Sequence, residues 1–366
     1  MPTITALLVL AAGSFLPVQP AGTPPQGQPE ASAQDILDFT DSRLVPAWAV
    51  KPEDRNAAII YLKATMDFPR ETRTEVNDLN WDDVGSTTDP AKLPTAFTAA
   101  SKKLREGSML WITLCVEASK LKKYDIENGY EGGVGMLLPH LSHMRALARA
   151  MRVEARQLAV EGKRDEAARL VATMIRMSRQ VPNDRVLISS LVGLAIGKVG
   201  VAEGNALLGS GGLGDAARDD LRQAIASVLT DDPYQLRAAM ESERDLFLEW
   251  FRLAVVRSPK APDAVAGLLG QQADPAVVAK IRELKGAALD AEIARAREAY
   301  DEVIRGWKSP DAQAALAGIS RRVEQGDFGL IARIAMPSFN VGWKNSDQAV
   351  ADLKALDARL AGEAKP

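Results

Sequence analysis

The sequence predicts an all-α fold, an irregular helical bundle of stacked antiparallel hairpins. Three observations carry this reading. Apolar residues recur at three- and four-residue steps through most of the chain, the period of a helix with one buried face. Gly and Pro fall where those runs begin and end. No alternating apolar and polar segment is long enough to require a sheet.

Composition narrows the function classes. A chain of 366 residues suits one large or two modest domains. Its 45 basic and 48 acidic side chains leave a net charge of −3, which favours neither nucleic acid nor an acidic membrane as a global partner. Aromatics make up only 5%, few for a stacking platform on sugars or bases. Cys115 is the only cysteine, which excludes an internal disulfide and a cysteine zinc cluster; it reads as buried filler.

Taken in order, residues 4–16 form an apolar run of signal-peptide length, with no Lys or Arg before it. Ala31-Ser32-Ala33 is the best small-residue cleavage site, and residues 17–29 are rich in Pro, Gly and Gln. Residues 1–33 are therefore read as a signal peptide and flexible segment, and the chain as exported, periplasmic or extracellular. An uncleaved tether and a buried N-terminal helix are the rival readings.

An N-terminal helical domain is expected over residues 34–208. Short helices are predicted at 35–44 and from Pro52, the second burying Ala57, Ile60, Tyr61 and Ala64. Residues 81–94 read as a polar connection. Thr95 is expected to cap a helix running toward Tyr124 that buries Phe97, Ala100, Leu104, Leu110, Trp111, Leu114 and Cys115, with Gly107 interrupting it. The Gly-rich loop 125–135 places Tyr124 and Tyr130 near Glu127 and Glu131. Pro139 opens the next helix. Leu141, Met144, Leu147, Met151, Ala155 and Leu158 form its apolar stripe, while Arg145, Arg149, Arg152 and Arg156 read as solvated. Gly162 ends it, because Gly accepts the left-handed conformation of helix ends. Asp165 and Glu166 then place negative charge at the positive end of the following helix, which runs to Pro182. Asn183 or Asp184 is expected to cap a third helix, 185–208. Its Gly193, Gly197, Gly200 and Gly204 cost helix propensity, so they predict another helix in close approach and a central position. A membrane span is disfavoured there because Arg185, Lys198 and Glu203 divide the apolar run.

Residues 209–214 read as a linker, followed by a C-terminal helical region, 215–366, packed on the first. Asp215, Asp232-Pro233, Asp274-Pro275 and Ser309-Pro310 mark successive helix starts, giving helices near 215–229, 233–257, 274–306 and 309–325. Glu292, Arg295 and Glu298 alternate in charge at three-residue spacing, which supports an exposed helix face. Residues 347–360 close the chain as an amphipathic helix.

Two resemblances add to this. Glu161-Gly162-Lys163-Arg164-Asp165-Glu166-Ala167 resembles the middle of a tetratricopeptide repeat, where Gly and then Ala mark the turn and the close approach of two helices. Arg164 and Met174 depart from that pattern, and no second copy follows at the repeat period of about 34 residues. Residues 138–141, the arginine-rich helix, this turn and residues 186–192 together resemble a family of uncharacterised exported bacterial all-helical proteins. That resemblance implies a helical fold and export, and carries no catalytic residue.

Candidate chemistry is sparse. Residues 209–214 match the dinucleotide glycine pattern, but a helix precedes them where that motif needs a strand, so no cofactor is expected. His140 and His143, the only histidines, are three residues apart and are the candidate metal ligands; no carboxylate sits one turn further on. Glu241-Ser242 resembles the catalytic pair of helical lytic transglycosylases, without that family's following motif; Glu241 is the candidate general acid, against a solvated helix face. Ser189 and Ser190 lack the glycines of a nucleophile elbow. The leading expectation is a non-catalytic exported binding or scaffolding protein that holds a protein or peptide in inter-helix grooves. The alternative is an exported hydrolase or lyase acting on cell-envelope polymer with a carboxylate acid.

Overall fold

The computed structural model describes residues 54–130, 136–257, 279–281, 283–336 and 339–362. The signal-peptide reading, the cleavage site, the helix at 35–44 and Glu131 lie outside them. Among the described residues the chain is all-helical, and the only backbone bridge pairs Asn56 with Lys123.

The first helices form a small layer. Asn56 caps α1 (Ala57–Asp67) by accepting the Ala58 amide at 3.1 Å. Two short helices follow, α2 (Arg73–Asp78) and α3 (Trp81–Val84). The second occupies a stretch that reads as a polar connection, because Asn80 caps it with its own side chain. The long helix expected from Thr95 is two helices, α4 (Thr95–Glu106) and α5 (Leu110–Ser119). Gly107 separates them, and a Cβ there would stand 2.7 Å from Pro69 Cγ. Thr95 does not cap α4; Pro94 precedes it. Phe97, Ala100, Leu104, Trp111 and Cys115 are buried as expected, whereas Leu110, in the first turn of α5 beside the break, is 54% exposed.

α6 (Pro139–Val160) and α7 (Arg164–Gln180) form a hairpin across Glu161-Gly162-Lys163. Gly162 has φ +79°, the left-handed conformation that its position requires. A 3₁₀ turn at Val181–Asp184 leads to α8 (Leu187–Gly209). The glycines of α8 report what approaches it. A Cβ at Gly193 would stand 2.6 Å from Pro182 Cγ and from Ser178 O; at Gly197, 2.8 Å from Tyr234 Oη; at Gly200, 3.0 Å from Ile175 Cγ1; at Gly204, 2.8 Å from Leu356 Cδ2 and 3.4 Å from Val171 Cγ1. Contacts ascend α8 from Gly193 to Gly204 as they descend α7 from Ser178 to Val171, so the two helices run antiparallel.

Past Gly214, α9 (Asp215–Val228) folds back on α7. Residues 209–214 are thus a short link inside one core, and that core extends through Tyr234 and Leu236. α10 (Leu236–Arg257), α11 (Gly286–Trp307), α12 (Ala312–Gln325) and α13 (Gly329–Ala335) build a second core around Leu248, Phe251, Tyr300 and Leu316. The last helix, α14 (Phe339–Gly362), is longer than its amphipathic stretch and sends Leu353, Leu356 and Leu360 into the first core. α7 packs on α5, α6, α8 and α9, and α8 on α6, α7, α10 and α14.

Two arginines of α6 depart from the solvated reading. Arg156 is 2% exposed, and Arg152 is largely covered. Arg156 donates Nε at 3.0 Å and Nη2 at 2.8 Å to the two oxygens of buried Glu203, and Arg152 Nε shares Glu203 Oε1 at 2.8 Å. Arg156 Nη1 also binds the carbonyls of Gly85 and Thr87, and Arg152 stacks over Trp81 at 3.5 Å. The segment after α3 therefore lies over what looks like a polar face of α6.

Candidate functional site

α8 is apolar well beyond what one buried face requires, and Lys198 is the one charged side chain it exposes. Its inner face meets α7, α14 and Tyr234. Its outer face carries Ile188, Leu191, Ala195, Val199 and Ala202, at helical steps of three and four. Ile188 is 48% and Leu191 39% exposed, among the most exposed large apolar side chains of the described chain. Ile188, Leu191, Ala195 and Val199 line a groove of about 280 Å³ with Arg145, Ala148 and Arg149 of α6. Arg149 Nη1 donates to Asn77 Oδ1 at 2.8 Å, and burial and the neighbouring Arg145 push the Arg149 guanidinium below its ordinary value. By length and composition α8 also passes for a membrane span, but most of its apolar stretch is buried in the fold. This groove is the candidate binding site. Its signal lay in the sequence: residues 187–209 offer almost no polar face to water.

A second concavity, a cleft of about 750 Å³, runs along α10. Glu241, Ser242, Asp245, Glu249 and Trp250 line it, with Tyr130 and Arg185 from the other core. Glu241 is exposed. The other two carboxyls are tied to arginines. The Arg244 hydrogen bond, with help from Arg297, holds Asp245 below the ordinary carboxylate range, and the Arg252 hydrogen bond does the same for Glu249. Burial raises one acid of α10, Glu243, but it accepts the Leu187 amide at 2.9 Å and so closes the first turn of α8. Of the two expected caps, Asp184 accepts the Val186 amide at 3.3 Å, and the Leu187 amide goes to a residue 56 positions away.

Asp184 organises the corner between the cores. Its carboxylate accepts Ser189 Oγ at 2.6 Å and Asn128 Nδ2 at 3.3 Å, and its carbonyl accepts the Tyr130 hydroxyl at 2.7 Å. Buried His140 places Nε2 3.4 Å from Asp184 Oδ2 without making a hydrogen bond. His143 turns elsewhere, its Nδ1 3.2 Å from Arg73 Nη2. The two histidines thus face different partners, and among the described residues no three His, Cys, Asp or Glu side chains gather to hold a metal ion. Ser189 lies against Asp184, and Ser190 Oγ reaches only the carbonyl of Gln235, at 3.4 Å; both are fully buried. In the glycine run the Gly214 amide donates to Asp165 Oδ1 at 2.9 Å, so a carboxylate occupies the place where a phosphate would sit. Compared with known proteins, the chain matches no family model, no curated protein and no solved structure.

Proposed function

We propose that the chain is a non-catalytic binding or scaffolding protein that holds a protein or peptide segment in the groove between α6 and α8, and that it does so outside the cytoplasm. The observation that carries this is the outward apolar stripe of α8. An apolar row of this length facing water marks a surface that another chain covers. Export rests on the apolar run and cleavage site of residues 1–33. The tetratricopeptide likeness rests on Gly162 at φ +79° and on Ala167, 1% exposed where the hairpin closes.

The hydrolase reading has one observation in its favour: Glu241 faces a cleft large enough for a polymer segment. A general acid, however, needs a carboxyl raised toward neutrality, and the arginines shift Asp245 and Glu249 the other way.

A photo-crosslinking residue placed at Leu191 of the full chain in its native envelope fraction tests the binding reading. We expect discrete adducts from Leu191 and none from Asp215, an exposed site on α9. Equal labelling at both positions, or none at either, would sink the proposal. Leu191→Glu should abolish the adducts formed through a crosslinker at Ile188, while changing stability by under about 0.5 kcal/mol, as for an ordinary surface substitution.

A further inference from the structure

The groove has two unlike walls. α8 presents Ile188, Leu191, Ala195 and Val199, spanning three turns, or about 16 Å of axis. α6 presents Arg145 and Arg149, one turn apart. Nearby arginines have acidic partners: Arg152 and Arg156 share Glu203, and Arg105 takes Glu154 and Glu161. Arg145 is exposed, and among the described residues no carboxylate pairs with it or with Arg149. Asn77, neutral, is the hydrogen-bond partner of Arg149. The acids that α6 and α8 supply, Glu154, Glu161 and Glu203, are therefore spent elsewhere, and two like charges about 6 Å apart are left on the groove wall.

We propose that the occupant of this groove is an amphipathic helix whose apolar face meets α8 and whose flank carries carboxylates, spaced one turn apart, against Arg145 and Arg149. The inference rests on the binding reading above and adds the partner's chemistry. A concave trough between two helices accepts a row of side chains at i, i+3 and i+7. A lipid surface, the other source of anionic charge and apolar contact, is flat and meets projecting side chains best. Two charges line the α6 wall, whereas the one exposed charge of α8, Lys198, lies outside the groove lining and donates to Asn345; that asymmetry also sets the direction in which the helix lies.

The test is selection from a displayed library of helix-forming peptides, each about 18 residues and so five turns long, with an apolar stripe fixed and both flanks randomised, against the full chain. Selected peptides are expected to carry Asp or Glu four residues apart on one flank. Their affinity should fall about tenfold or more, over 1.4 kcal/mol, for the Arg145→Glu/Arg149→Glu variant. The same peptides with Lys in place of those acids should recover binding to that variant and lose it to the parent. Leu191→Glu should remove both. Circular dichroism and melting of each variant verify that it is folded. Peptides that need Leu191 but carry neutral or basic flanks would overturn the charge assignment and leave groove binding standing. Absence of any Leu191-dependent peptide would overturn both. Phosphatidylserine vesicles that bind through Leu191 and Arg145 where no peptide does would replace the helix by a lipid surface and overturn the proposal.

Discussion

Glu203 shows how far a single side chain can depart from its sequence pattern. In the sequence it only divides an apolar run, yet it is 2% exposed and holds two arginines. A buried ion pair gains little over an apolar pair of the same shape, because both charges lose water; removing one partner alone is costly, because the other stays buried and unpaired. Glu203→Ala should therefore destabilise the chain by about 3–5 kcal/mol in urea unfolding. Arg156→Met/Glu203→Leu should cost less than Glu203→Ala alone, since it leaves one unpaired cation instead of two: Arg152, largely covered but stacked on Trp81. A double variant no better than the single would refute the account. Periodicity cannot reveal this triad. It places Arg156 opposite the stripe of α6, but only the path of residues 85–87, whose carbonyls take the Arg156 guanidinium, decides that the opposite side is also interior.

At the level of elements, glycines were the most legible feature. Four of them at helical steps in α8 predict a close neighbour, and α7, Tyr234 and α14 supply it. Gly193→Ala should destabilise by about 1–3 kcal/mol, because the new methyl meets Pro182 and a backbone carbonyl, neither able to swing aside. Gly318→Ala in α12, where nothing lies within 4 Å, should instead stabilise by up to about 1 kcal/mol through helix propensity alone. Thermal melting of the two variants checks the contrast, and equal shifts would remove the close-packing argument. Helix ends were less legible. The start of α12 is read at Ser309-Pro310, but the cap is Asp311, two residues on, which accepts the Ala314 amide at 3.3 Å. The first turn of α8 is closed by Glu243, which no local rule could have found. The exposed face of α8 was legible in principle, as a helix without a polar side, but a core helix and a docking helix share that composition.

For the whole molecule, two cores meet at Leu187 and Trp307, side chains that pack on both. Ion pairs stitch helices together around them: Arg222 with Asp357 joins α9 to α14, and Arg244 with Asp301 joins α10 to α11. Glu161 fastens the α6–α7 turn to α4 through Arg105. Burial alone would raise its pKa, but hydrogen bonds from Gln157, Arg105 and Lys163 outweigh that and hold it at about 2, against 4.5 for the free group. A depressed carboxyl stabilises the fold above its unfolded pKa and loses that contribution as pH falls through the folded value. Stability should thus decline between about pH 4.5 and 2, and Glu161→Gln should flatten part of that decline, with a cost near neutral pH of only about 0.5 kcal/mol because solvent screens so exposed a group. A variant whose acid limb matches the parent's would refute the assignment. The sequence by itself determined the all-helical class, most helix positions, the α6–α7 turn and the tight contact along α8, because these follow from apolar period, Gly and Pro, all local. Tertiary structure alone decided which charges are interior, which acid closes which helix, that His140 and His143 part company, and which side of α8 is left exposed among the described residues. Those outcomes depend on which distant segments meet, and no local pattern carries that.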